Sequence, residues 1–91
     1  MGVQRSVRLV NPSGLHARPA KLFATEAAAT GATVRLTKGE RTVNGASVLS
    51  VLTLGCHHGD EVVVEVEGAD AEVHLEALVA LIESGLGEPT A

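Results

Sequence analysis

The chain opens on an alternation. Val3, Val7 and Leu9 fall on one side of an extended segment and Gln4, Ser6 and Arg8 on the other. That period of two predicts a strand over residues 3–10. Asn11-Pro-Ser-Gly14 is turn chemistry and ends it. The period then changes. Ala20, Phe23, Ala24 and Ala27 recur at i, i+3, i+4 and i+7, the buried stripe of a helix over 17–30, and Gly31 is its stop. Ala32, Val34 and Leu36 alternate with Thr33, Arg35 and Thr37 in a second strand. Lys38-Gly39 leads to a third over 40–44. Ser47, just past the Asn44-Gly45 turn, is placed to cap a short helix over 48–54 that ends at Gly55. Val62, Val64 and Val66 alternate with Glu61, Glu65 and Glu67 in the clearest strand of the chain. Asp70 is placed to cap a last helix in which Ala71, Leu75, Leu78 and Ile82 share a face. Gly85 ends that helix, and residues 87–91 read as a flexible tail.

Strand, helix, strand, strand, helix, strand, helix is an α+β order. It suits an open-faced sandwich, a four-stranded antiparallel sheet with three helices on one face and water on the other. The strand order does not follow from the pattern alone. All of it fits one domain, since the chain has 91 residues. The core must be built from Ala, Val and Leu, because the only aromatic residue is one Phe. A core so small leaves little energy for a deep substrate cavity, so docking at the surface is the easier task.

Charge narrows the function. All seven Lys and Arg fall in residues 1–41, and nine of the eleven acids fall beyond them. The acidic half argues against nucleic acid, while the basic half could steer an acidic protein partner. No apolar run reaches the roughly 20 residues of a membrane span. The N-terminus lacks the apolar stretch of a secretion signal, and a single cysteine, Cys56, excludes an internal disulfide. These points favour a cytoplasmic protein that does not enter the membrane.

One segment carries chemistry: Gly14-Leu15-His16-Ala17-Arg18-Pro19. Gly14 eases a tight turn, and Leu15 can anchor the loop in the core. Pro19 fits within the first helical turn, where its missing N–H is no loss. His16 then falls at or next to the helix N-cap, beside the free backbone N–H groups of Ala17 and Arg18 and the positive end of the helix dipole. That is an anion site, and the Arg18 guanidinium suits bidentate contact with phosphate. A positive potential also favours the neutral, nucleophilic imidazole. No metal or cofactor is needed for such a group to accept and release a phosphoryl group.

The run Asn11 to Ala20 resembles the active-site signature of the HPr family, the histidine-containing phosphocarriers of the bacterial sugar phosphotransferase system, and Ser47 to Gly55 resembles that family's second signature. The resemblance implies a sheet order of 1-4-2-3. It implies phosphorylation of His16 at Nδ1, with Arg18 as phosphate partner. It further implies relay from phosphorylated enzyme I to enzyme IIA domains in sugar uptake, by a carrier with no turnover of its own on a small substrate. An HPr paralogue serving regulatory signalling or a dihydroxyacetone kinase system is the alternative. A monomer is expected.

The short helix adds a docking reading. Val48, Leu49 and Leu52 cannot all be buried on two turns that also bury Val51 and Leu54, and an exposed apolar patch often marks a protein contact. In the family this helix lies beside the active histidine, so Arg18 and Lys21 would complete the patch. Ser47 has two readings: a helix cap or, by resemblance, the serine that a dedicated kinase and phosphorylase modify in many Gram-positive members. A cap is sufficient reason for it. Cys56-His57-His58 reads as a turn outside the chemistry of His16, because three adjacent residues cannot all face one metal ion.

Overall fold

The structure, a computed structural model, describes residues 2–89. Seven elements follow in order: β1 (Val3–Arg8), α1 (Ala17–Ala29), β2 (Thr33–Lys38), β3 (Arg41–Asn44), α2 (Val48–Thr53), β4 (Glu61–Glu67) and α3 (Ala71–Glu83). They form one sheet in the order β1-β4-β2-β3, with every neighbouring pair antiparallel. This is the four-stranded open-faced sandwich with three helices. β1 and β2 therefore run parallel, joined through α1, and β4 is inserted between them.

The alternation decides which face is covered. Val7, Val34, Leu36, Val62, Val64 and Val66 point beneath the helices and are buried. They meet Ala20, Phe23, Ala24 and Ala27 of α1 and Leu75, Leu78, Val79 and Ile82 of α3. Each large side chain removed from water contributes about 1.5–3 kcal/mol, and Phe23, the single ring, is fully buried at the centre of this layer. On the open face, Gln4, Ser6 and Arg8 are exposed. There Arg35 of β2 sits opposite Glu65 of β4, bonding Glu65 at 3.3 Å and Glu67 at 3.0 Å.

The two charge-segregated halves of the sequence thus pair across the sheet. Arg5 binds Glu76 of α3, Arg8 lies 3.9 Å from Glu61, and Lys38 lies 3.0 Å from Asp60. Arg41 donates to the Thr53 carbonyl. Among the described residues, only Arg18 and Lys21 of the seven cations make neither an ion pair nor a hydrogen bond.

Local signals held at several ends. Gly31, Gly55 and Gly85 follow α1, α2 and α3 at φ of 71°, 63° and 98°. The Ser47 hydroxyl accepts the Ser50 N–H at 3.3 Å, as a cap does. One expectation needs correction. Asp70 precedes α3 but makes no side-chain cap bond, because its backbone is left-handed (φ 56°) rather than extended. Within the segment read as a tail, the Glu88 carboxylate accepts hydrogen bonds from Asn11 and Ser13, and Leu86 just before it is buried. Thr90 and Ala91, the rest of that tail, lie outside the described residues.

Candidate functional site

Topology brings two loops together. β1 pairs with β4 so that Arg8, where β1 ends, faces Glu61, where β4 begins. The loop leaving β1 (residues 9–16) must then lie against the loop entering β4 (residues 55–60). Three backbone bonds fasten them: Leu9 N–H to the Asp60 carbonyl at 2.9 Å, Gly59 N–H to the Leu9 carbonyl at 2.8 Å, and Leu15 N–H to the Cys56 carbonyl at 3.1 Å. Gly14 permits the approach. It has φ +60°, and a Cβ there would fall 2.5 Å from the Cys56 oxygen and 2.7 Å from the His57 Cα. Leu15, fully buried, anchors the next position.

From the opposite side, Glu88 closes the turn. Its carboxylate accepts the Asn11 amide at 2.9 Å, the Ser13 N–H at 3.0 Å and the Ser13 hydroxyl at 2.8 Å. Asn11 is fully buried and also donates to the Gly14 carbonyl. The Asn11 amide, then the Ser13 hydroxyl and N–H, hold the Glu88 carboxyl below the usual carboxylate range. The end of the chain lies along the start of α1, with Arg18, Lys21, Leu22, Thr25, Leu86 and Glu88 lining an open cleft of about 510 Å3.

His16 emerges from this frame as the N-cap residue of α1, in extended conformation (φ −127°, ψ 159°), and its side chain makes no cap bond. The ring is half-buried. Nε2 is enclosed and has no hydrogen-bond partner, while Nδ1 is not enclosed. Ala17 follows in the left-handed region (φ 49°), which few residues with a Cβ adopt. The N–H groups of Ala17 and Arg18 belong to the first turn, which holds no acidic residue. Pro19, buried, occupies a position where no donor is lost. Arg18 and Lys21 are exposed.

The docking residues differ among themselves. Leu49 is 77% exposed and Val48 sits at the border of exposure, while Leu52 is half-buried against the core. Val51 and Leu54 are buried, as a two-turn helix on α1 requires.

One neighbour of His16 was missed. The His57 ring lies 5.2 Å from the His16 ring, tilted by 40°. The Cys56-His57-His58 turn, read above as standing outside the chemistry of His16, thus reaches the His16 ring. His57 is held by a reciprocal turn: its N–H donates to Asp60 Oδ2 at 2.8 Å, and Asp60 N–H donates to its carbonyl at 3.0 Å. The His57 N–H, with Lys38 second, holds the Asp60 carboxyl low. Cys56 is buried beneath, and burial pushes its thiol up, away from thiolate reactivity. Among the described residues no three His, Cys, Asp or Glu side chains gather to hold a metal ion, and no helix is long and apolar enough to cross a membrane.

This frame has known counterparts. Residues 3–84 match the family model described as the PTS HPr component phosphorylation site. The chain is 43% identical over 86 residues to the phosphocarrier protein HPr of Streptomyces coelicolor, covering 93% of this chain and 92% of that one. It is 34% identical to the phosphocarrier protein NPr of Shewanella violacea, covering 94% of each. The crystal structure of HPr-C-His from Thermoanaerobacter tengcongensis superposes with a TM-score of 0.91 at 37% identity, over 96% of this chain and 98% of that one. A histidine at the mouth of the β1–α1 loop, within a family model built around a phosphorylation site and spanning every element of the fold, leads to one assignment: the chain belongs to the HPr family of phosphotransferase-system phosphocarriers.

Proposed function

We propose that His16 Nδ1 receives a phosphoryl group from phosphorylated enzyme I and passes it to enzyme IIA domains in sugar uptake, in the cytoplasm and as a monomer. The supporting observation is the environment of the ring: at the N-cap of α1 it has Nε2 enclosed and Nδ1 not, next to two N–H groups that no acid in the first turn satisfies. In the transfer, the Nδ1 lone pair forms the new P–N bond. The donor nitrogen keeps the electron pair of the bond that breaks. Charge spreads over the phosphoryl oxygens. The Ala17 and Arg18 N–H groups and the Arg18 guanidinium, which makes no ion pair among the described residues, supply donors for them.

Lys21 with Val48, Leu49 and Leu52 forms the docking face for both partners. An apolar knob flanked by cations fits an acidic rim around a hydrophobic cup. Ser47 serves as the α2 cap; a phosphate from a serine kinase would put about −2 charge into this face and oppose docking.

The test is a mixture of the protein with phosphoenolpyruvate and enzyme I. An acid-labile, base-stable label on His16 is expected, and His16→Ala takes up none. Arg18→Ala folds and is labelled more slowly. A His16→Ala protein that still takes up label overturns the assignment.

A further inference from the structure

Resting on the phosphocarrier reading of His16, we propose that His57 is a second phosphoryl-binding residue, whose ring N–H donates to an oxygen of the group carried on His16. No covalent bond forms on His57.

Four observations place it there. The two rings lie 5.2 Å apart, and the 40° tilt keeps them from stacking face to face. His57 is exposed, so its ring has room to turn toward a group carried on His16 Nδ1, which is not enclosed as Nε2 is. Its backbone is not free. The Asp60 turn and the Leu15 bond to the Cys56 carbonyl hold it, and Gly14 lets it press against the loop that carries His16. Finally, the carboxylate nearest to it is already engaged: Asp60 Oδ2 takes the His57 N–H and lies 3.0 Å from Lys38. Its charge is therefore balanced and does not compete with the phosphoryl oxygens for the imidazole.

The chemistry suits either protonation state. A neutral imidazole carries one N–H and an imidazolium two, so a donor exists in both. The α1 side of the phosphoryl group is served by Ala17, Arg18 and the helix dipole; His57 serves the side facing the β4 loop. A phosphoryl group held from two loops is better oriented, and the loop fastening described above fixes their separation. His58, the next residue, is exposed and makes no ring contact with His16, so it is the internal control.

The experiment uses two donors. Phosphoramidate phosphorylates histidine chemically and needs no partner protein. After this labelling, the side-chain 15N resonances of His57 are expected to shift with those of His16, while those of His58 stay in place. Unshifted His57 resonances on a labelled His16, or a phosphoryl group found on His57 itself, overturn the proposal. In the second arm, phosphorylated wild type is mixed with an equal amount of a His57 variant and a trace of enzyme I. The label is expected to favour wild type over His57→Phe by about two- to fivefold, the size of an exposed charged contact. It should be shared more evenly with His57→Gln, which keeps an N–H donor. His57→Phe keeps the ring's bulk, so an equal share there also overturns the proposal. Wild type labelled by phosphoramidate but not through enzyme I counts against the partner assignment alone, since the resonance test of His57 stands without it.

Discussion

α1 and α3 are built alike and end up doing different things. Each has 13 residues. A glycine with positive φ stands two positions before each N-cap, Gly14 before His16 and Gly68 before Asp70. Each start carries one left-handed residue with a side chain, Ala17 or Asp70, and neither N-cap side chain makes a cap bond. The difference lies in how the positive end is satisfied. In α3, the His74 N–H closes on the Asp70 carbonyl at 3.1 Å, and Glu72 supplies a negative charge in the first turn. In α1 the first turn has no acid, and no bond from Ala20 to the His16 carbonyl appears among the hydrogen bonds of the described residues. One helix satisfies its own start. The other leaves its first turn without an acid and without that closing bond.

Gly14 and Gly68 test that contrast most strongly. Both have positive φ, where an added Cβ costs about 1–2 kcal/mol. At Gly68 the Cβ would meet only Ala32, at 3.4 Å, an ordinary contact. At Gly14 it would drive into the backbone of Cys56 and His57 at 2.5–2.8 Å, where neither segment can yield without breaking the Leu15 bond. Gly14→Ala is expected to lose about 3 kcal/mol or more in chemical denaturation, and Gly68→Ala about 1–2. Measured on the folded fraction, phosphoryl uptake falls in Gly14→Ala and holds in Gly68→Ala. Equal uptake in the two would mean that the close approach of the loops has no part in the chemistry.

The same loops show what could be read without coordinates. His16, Arg18 and the helix start were legible because they are local: turn chemistry, a proline in the first turn and an amphipathic stripe all sit within a dozen residues. All seven elements were legible for the same reason: β1, α1, β2, β4 and α3 each have their own period, and β3 and α2 are marked by the turn and cap residues at their ends. His57 was not, because it is 41 positions away from His16 in the sequence. A signal for it existed. Once β4 is placed beside β1 with Glu61 against Arg8, the four residues before Glu61 must lie over the loop after Arg8. That step needs a strand register, which alternation alone does not supply. Glu88 was hidden differently. A glycine-rich, polar chain end looks frayed, and only the tertiary structure reveals that Asn11 and Ser13 offer three donors to its carboxylate. Asp70 misled in the opposite direction. Its residue type is right for a cap, but the positive φ takes its side chain out of use.

The left-handed residues provide a finer test. A non-glycine there carries about 1–2 kcal/mol of strain, and glycine returns roughly 0.5–1 of that as added freedom in the unfolded chain. Ala17→Gly is therefore expected to stabilise the domain by less than about 1 kcal/mol. Asp tolerates this region better than Ala, so Asp70→Gly should change stability still less. Denaturation midpoints of the two variants decide it. A larger gain at Asp70 would place the greater strain at the start of α3 rather than beside His16.

The smallest effect concerns where each helix start finds negative charge. α3 has Glu72 on its own first turn, whereas the loop before α1 borrows Glu88 from the other end of the fold. The Glu88 carboxyl is held low by hydrogen bonds from Asn11 and then Ser13. A carboxyl lowered in the folded state stabilises that state above its unfolded value, near about 4.3. The contribution is lost as pH falls through the lower, folded value. Wild type should therefore lose thermal stability between about pH 5 and pH 3 more steeply than Glu88→Gln, once the other carboxylates common to both proteins are subtracted. At pH 7 the variant should melt slightly lower, since Gln keeps one acceptor oxygen where the carboxylate uses two. Parallel pH curves for the two proteins would mean that the chain end rests on the loop without holding it. The frame around His16 would then depend on the β4 contacts alone.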